Sequence, residues 1–124
     1  MCLLVLTVRA EINTEAFLDA LAMKETGTGW NGKPGPCGEL SRWQVTERTW
    51  KQETALPFDR ARDAGTARAV VLLHMERLRR QIEGSGHVAT PERLATCWHF
   101  GASHAGKPSE WGREVANLYE DLCR

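Results

Sequence analysis

Many of the usual pointers to function are missing from this 124-residue chain, and each absence closes a class of explanation. No apolar run approaches the roughly 20 residues that a membrane-spanning helix needs. Sixteen basic and sixteen acidic side chains cancel, so no global field draws the protein to nucleic acid or to an anionic membrane. No Cys-x-x-Cys, His-Glu-x-x-His or Gly-x-Ser-x-Gly occurs, which leaves redox, zinc and serine-nucleophile chemistry without a signature. Neither a metal nor another cofactor is expected. Internal repeats and low-complexity linkers are lacking as well, and the length suits one domain with one modest core.

The N-terminus carries an ambiguous signal. Cys2 to Val8 is short and almost wholly apolar, and Val8-Arg9-Ala10 places small residues at the two positions a signal peptidase reads. A charged segment ahead of it is missing. Residues 1–10 are therefore read as the remnant of a secretory signal, and residues 11–124 as a single domain acting in the periplasm or outside the cell. A cytosolic chain with a greasy first element is the alternative. Four cysteines suit an oxidising compartment. Loss of Cys2 would leave Cys37, Cys97 and Cys123, enough for one disulfide. Cys37–Cys97 would tie an early loop to a later helix, but spacing alone does not fix the pairing.

Periodicity predicts a mainly α domain, with about five helices around one core. The first runs from about Thr14, capped by Asn13 or Thr14, to Glu25 or Thr26, where Gly27 and Gly29 stop it. Residues 27–38 hold five glycines and two prolines, which predicts a loop or a small β-turn region. A short helix starts near Thr46 and carries Trp50 inward. The longest helix spans roughly 63–82 on the stripe Ala67, Val70, Val71, His74, Met75, Leu78 and Ile82. Its arginines, Arg68, Arg77, Arg79 and Arg80, fall mostly outside that stripe, on a face read as solvated. Thr90-Pro91 opens a fourth helix that stops near Gly101. Ser109 caps a last one carrying Trp111, Val115, Leu118, Tyr119 and Leu122.

Among residues that carry chemistry, Glu25 stands out. It lies four positions after Leu21 and seven after Leu18, so it shares the face of Phe17, Leu18, Leu21 and Ala22. A carboxyl group in apolar surroundings loses hydration of its charged form, and its pKa rises. A carboxylic acid still protonated near neutral pH is what cleavage of a glycosidic bond requires. The plainer reading makes Glu25 a charged residue closing an apolar face. Among the histidines, His74 reads as a satisfied core residue. His87, His99 and His104 form no ligand cluster.

Four segments, beginning at Glu25 itself, strengthen the catalytic reading. Lys24-Glu25-Thr26 ends the first helix, and Ser41-Arg42-Trp43-Gln44-Val45-Thr46 leads into the second. Downstream come Leu94-Ala95-Thr96-Cys97-Trp98-His99-Phe100-Gly101 and Trp111-Gly112-Arg113-Glu114-Val115-Ala116-Asn117-Leu118-Tyr119. In this order the four segments resemble the lysozyme-like superfamily of lytic transglycosylases and goose-type lysozymes. That group ends its first helix in Glu-Ser, continues through a Gly-x-x-Gln-Ile turn and an Ala-x-x-Tyr-Asn-x-Gly segment, and closes with a Tyr-x-x-x-Val-x-x-x-Tyr helix. Thr26 stands for the usual serine, Ser41 for glycine, Trp98 for tyrosine, His99 for asparagine and Trp111 for the first closing tyrosine. The likeness covers most of the chain from Ala20 to Leu122.

The resemblance implies an α+β lysozyme-like fold and cleavage of the β-1,4 bond between N-acetylmuramic acid and N-acetylglucosamine in peptidoglycan strands, by a monomer. Glu25 would protonate the leaving oxygen. In the transglycosylase branch it would then act as base while the muramyl 6-hydroxyl closes a 1,6-anhydro ring. In the hydrolase branch a second carboxylate, roughly 6.5–9.5 Å away for inversion, would direct water. Glu39 is the residue for that task, or else the cap of a turn. Gln44 would lie on the cleft floor against the N-acetyl group, with Thr26, Ser41 and His99 beside it. Trp98 and Trp111 would offer faces to pyranose rings, and Trp30 and Trp43 would line the rim or fill the core. The transglycosylase is the expected activity. A non-catalytic glycan-binding module on the same fold, or a cytosolic helical interaction domain, is the competing reading.

Overall fold

The computed structural model describes residues 11–124. The signal remnant expected at residues 1–10 lies outside that range. Five α-helices carry the fold: α1 (Thr14–Thr26), α2 (Glu47–Glu53), α3 (Ala64–Gly84), α4 (Pro91–Phe100) and α5 (Glu110–Leu122). Short 3₁₀ turns at Phe58–Arg62 and Ala102–His104 lead into α3 and follow α4.

Each α-helix begins at a side chain able to satisfy a free backbone N–H. Asn13, Thr46, Asp63, Thr90 and Ser109 accept from the amides of Ala16, Thr49, Thr66, Arg93 and Gly112. Each such cap stabilises its helix by about 1 kcal/mol. Five local signals thus set the helix starts before any tertiary contact forms.

α1 is buried over much of its length. Its burial extends beyond one stripe to Ala16, Phe17, Leu18, Ala20, Leu21 and Ala22, because neighbours cover it on more than one side. α5 crosses it through an edge-to-face pair between Phe17 and Tyr119, centroids 6.1 Å apart. The Tyr119 hydroxyl accepts from the Asn13 amide at 2.9 Å, and Lys24 pairs with Glu114. α4 and α5 approach closely at Gly112, where an added Cβ would collide with the Thr96 hydroxyl and lie 2.6 Å from the Glu92 carbonyl oxygen. Beside that crossing the hydroxyls of Thr96 and Ser109 lie 2.8 Å apart. α2 sends Trp50 fully inside, against Phe58 at 6.1 Å. One contiguous apolar core joins all these pieces.

Four expectations need correction. Among the described residues the β content reduces to a single bridge, Leu40 with Val45, since the loop before it is too rich in glycine and proline to extend a ladder. Cys37, Cys97 and Cys123 are all unpaired: Cys97 is buried with its sulfur toward the Ala102 carbonyl, whereas Cys37 is exposed on the glycine-rich loop. Leu122 is 44 % exposed, because the last turn of α5 overhangs the core. Finally, the arginines of α3 do not simply face solvent. Arg68 and Arg77 reach across to Glu15 and Glu53, and Arg79 bridges Glu76 and Glu83 along the helix.

Candidate active site

A groove of about 280 Å³ opens beside the C-terminal end of α1, walled by α2, α3, α4 and the glycine-rich loop. Glu25, Glu39, Gln44, His74, Trp98 and His99 all line it. All of these except His74 are site candidates on sequence grounds, and they converge from α1, the loop after it and α4.

The turn carrying Gln44 is held by several bonds. Residues 41–44 reverse the chain inside the Leu40–Val45 bridge, whose two backbone hydrogen bonds measure 3.0 and 2.8 Å. The reversal puts Ser41 at φ 75° and Gln44 at φ 53°, a region that normally favours glycine. Ser41 is tolerated because its side chain accepts the Trp43 amide at 3.2 Å. Two bonds then lock the turn onto α1: the Trp43 indole N–H donates to the Leu18 carbonyl at 2.8 Å, and the Thr26 hydroxyl lies 2.8 Å from the Arg42 carbonyl.

The position of Gln44 relative to Glu25 is therefore fixed by these hydrogen bonds rather than left to a flexible loop. Gln44 donates one N–H to the Ser41 carbonyl at 2.9 Å and keeps its remaining polar capacity for the groove. Gly35 sits so close that a Cβ there would collide with Gln44 Oε1 and lie 2.9 Å from Glu39 Oε2.

The electrostatics follow from this enclosure. Burial is the main reason the Glu25 carboxyl is pushed up from 4.5 to about 7, and the nearby charge of Glu39 adds to the rise. A hydrogen bond from the Trp98 indole and the charge of Lys24 oppose it without cancelling it. Glu39 is spoken for in part: its Oε1 accepts the Cys37 amide at 2.6 Å, so it caps the loop turn while presenting charge to the groove. Burial lowers the pKa of His99, and Lys24 adds to that. Its ring stacks on Trp111 at 4.4 Å and 15°.

No protein-family model, curated protein or solved structure matches this chain.

Three expected substrate contacts have partners within the fold. Ser41 is only 3 % exposed and serves the turn. Thr26 spends its hydroxyl between the Ala22 and Arg42 carbonyls and reaches only a second, smaller hollow of about 210 Å³, bordered also by Trp30, Lys33 and Gln44. Trp111 is not among the residues lining the groove, and its ring stacks on His99, which is. Trp43 proves a core residue at 3 % exposure, and Trp30 borders the second hollow.

His74, expected to be a satisfied core residue, is the groove residue that sequence reasoning misses. It lines the opening, with its ring 5.5 Å from Trp98 in an edge arrangement. Its Nδ1 lies 3.5 Å from Glu53, whose side chain is 4 % exposed. A signal for it does exist: a polar side chain on the apolar stripe of α3, the same kind that marks Glu25. Nothing in the sequence says that the two stripes meet.

Proposed function

We propose that this protein is a peptidoglycan-cleaving glycosidase, a lytic transglycosylase in which Glu25 is the general acid. One observation carries the reading. An acid held half-buried in an open groove keeps its proton to about pH 7, beside an amide and an indole that a sugar ring could meet. General acid catalysis works best when the pKa of the acid lies near the working pH. Glu25 protonates the glycosidic oxygen as the bond to C1 breaks. Gln44 offers an amide to the N-acetyl group, and the edges of Trp98 and His99 form the wall.

The lysozyme-like resemblance supplies the substrate: the β-1,4 bond between N-acetylmuramic acid and N-acetylglucosamine. The turn-capping bond to Glu39 favours the transglycosylase branch, in which no second carboxylate has to steer water. Action by a monomer outside the cytoplasm belongs to the same proposal. Glu25→Gln assayed on purified sacculi, with products read by mass spectrometry, tests it. Anhydro-muramyl ends from the wild type and none from the variant are expected. Reducing ends would make the enzyme a hydrolase, and binding to sacculi without soluble product would make it a glycan-binding module.

A further inference from the structure

A second pair of ionisable groups meets at the wall of the same groove: His74 lines it, and Glu53 lies against His74. Glu53 comes from α2 and its side chain is almost wholly shut from water, while His74 comes from α3 and is largely buried. The His74 Nδ1 atom is buried 3.5 Å from Glu53, close enough for a charge interaction but without a hydrogen bond. Because the residue nevertheless lines the groove, its opposite edge, bearing Nε2, is the one left to face a substrate. Arg77, one turn further along α3, anchors the Glu53 carboxylate from the solvent side. A carboxylate this near Nδ1 favours the tautomer protonated there, and its charge steadies the imidazolium that forms when Nε2 takes a proton.

We propose that Glu53 and His74 form the base half of this site, with His74 Nε2 accepting the proton of the attacking hydroxyl. The inference rests on the glycosidase reading above and changes one step of it. As the C1–O bond to the leaving sugar breaks, the Glu25 proton passes to the departing oxygen. The attacking oxygen, the muramyl 6-hydroxyl, forms the new bond to C1, and its proton moves to Nε2. The imidazolium proton then returns through groove water to the Glu25 carboxylate, so the cycle balances. The acid and the base are thus two residues.

The environment separates the two groups in the required sense. Burial lowers the pKa of His74 more than Glu53 raises it, whereas burial raises that of Glu25. Glu53 of α2 and Arg77 of α3 act on it directly, and Glu25 of α1, His99 of α4, and Glu39 and Cys37 of the loop share its groove.

The test compares wild type, His74→Ala, His74→Phe and Glu53→Gln on soluble peptidoglycan strands across the pH range, with and without added imidazole. For His74→Ala we expect kcat to fall by about 10²-fold or more, with KM little changed. The acid limb of the pH profile should disappear, and imidazole should restore part of the rate. His74→Phe preserves the packing on Trp98 and should lose the rate without rescue. Glu53→Gln should fall between, with a displaced acid limb. Wild-type kcat in His74→Ala would overturn the inference. So would a lowered rate that keeps the wild-type pH profile and ignores imidazole. An inactive Glu25→Gln beside a fully active His74→Ala removes this inference and leaves the proposed function standing. Activity in Glu25→Gln removes the proposed function itself.

Discussion

Replacing Glu25 by Gln keeps the shape of the side chain and abolishes its proton equilibrium, so its effect on stability reads the enclosure directly. Below its ordinary pKa of 4.5 the wild-type side chain is protonated whether the chain is folded or unfolded. Between 4.5 and about 7 the unfolded chain releases that proton and the folded chain keeps it. Over this window the folded state binds more protons, so rising pH lowers wild-type stability, and the loss is complete once pH passes about 7.

The full rise in pKa corresponds to about 3 kcal/mol, at roughly 1.4 kcal/mol per tenfold change in proton affinity. The groove is open to water on one side, and screening reduces the figure to about 1.5–2 kcal/mol. For a domain of this size that is about 5–8 °C in melting temperature. Glu25→Gln lacks the titration altogether. Its melting temperature should therefore gain about 5–8 °C on the wild type between about pH 4 and about pH 8 in paired thermal scans. A difference between the two proteins that stays flat across that range would show that Glu25 ionises as if in water. That outcome would refute enclosure as the source of a retained proton.

Other perturbations test other parts of the structure. Sacculus-cleaving activity should decline as pH rises through about 7, because the acid form of Glu25 is lost there; a rate still climbing beyond that point would exclude it as the acid. Gly35→Ala should displace Gln44 and Glu39 and lower kcat/KM by about 10²-fold, with a nearly unchanged melting curve on the same samples. Gly112→Ala drives a methyl group into Thr96 and the Glu92 backbone, and chemical denaturation should show a loss of about 2–3 kcal/mol. Maleimide labelling should modify exposed Cys37 in the groove wall and block cleavage, while Cys37→Ser stays active under the same treatment; Cys97, buried and with its thiol pKa raised by that burial, should resist until the chain unfolds.

Local signals carry most of the helical framework. Asn13, Thr46, Asp63, Thr90 and Ser109 are capping residues ahead of apolar periods, and each starts the helix expected there. The stripe of α3 is readable for the same reason, since a 3.6-residue period needs no partner to be seen. Leu122 shows the limit: it continues the period of α5, but the core has ended beneath it.

The groove is legible in part. Glu25 is marked by its type and helical spacing, Gln44 only by the resemblance of its segment, and both line it. Ser41 and Thr26 escape such reasoning because their hydroxyls meet backbone groups that are distant in sequence or turned by a positive φ. Whether a hydroxyl faces a ligand or its own main chain depends on such partners.

By itself the sequence determined where helices begin, which faces are apolar, and that one acid lies on such a face. Those are properties of neighbours along the chain, set by periodicity and by backbone donors near each terminus. Only the tertiary structure decided that α1, α2, α3 and α4 converge on a single groove, that Trp98 reaches Glu25, and that His74 lines that groove beside Glu53. Burial and electrostatic coupling arise from groups far apart in sequence, and no local pattern encodes the distance between them.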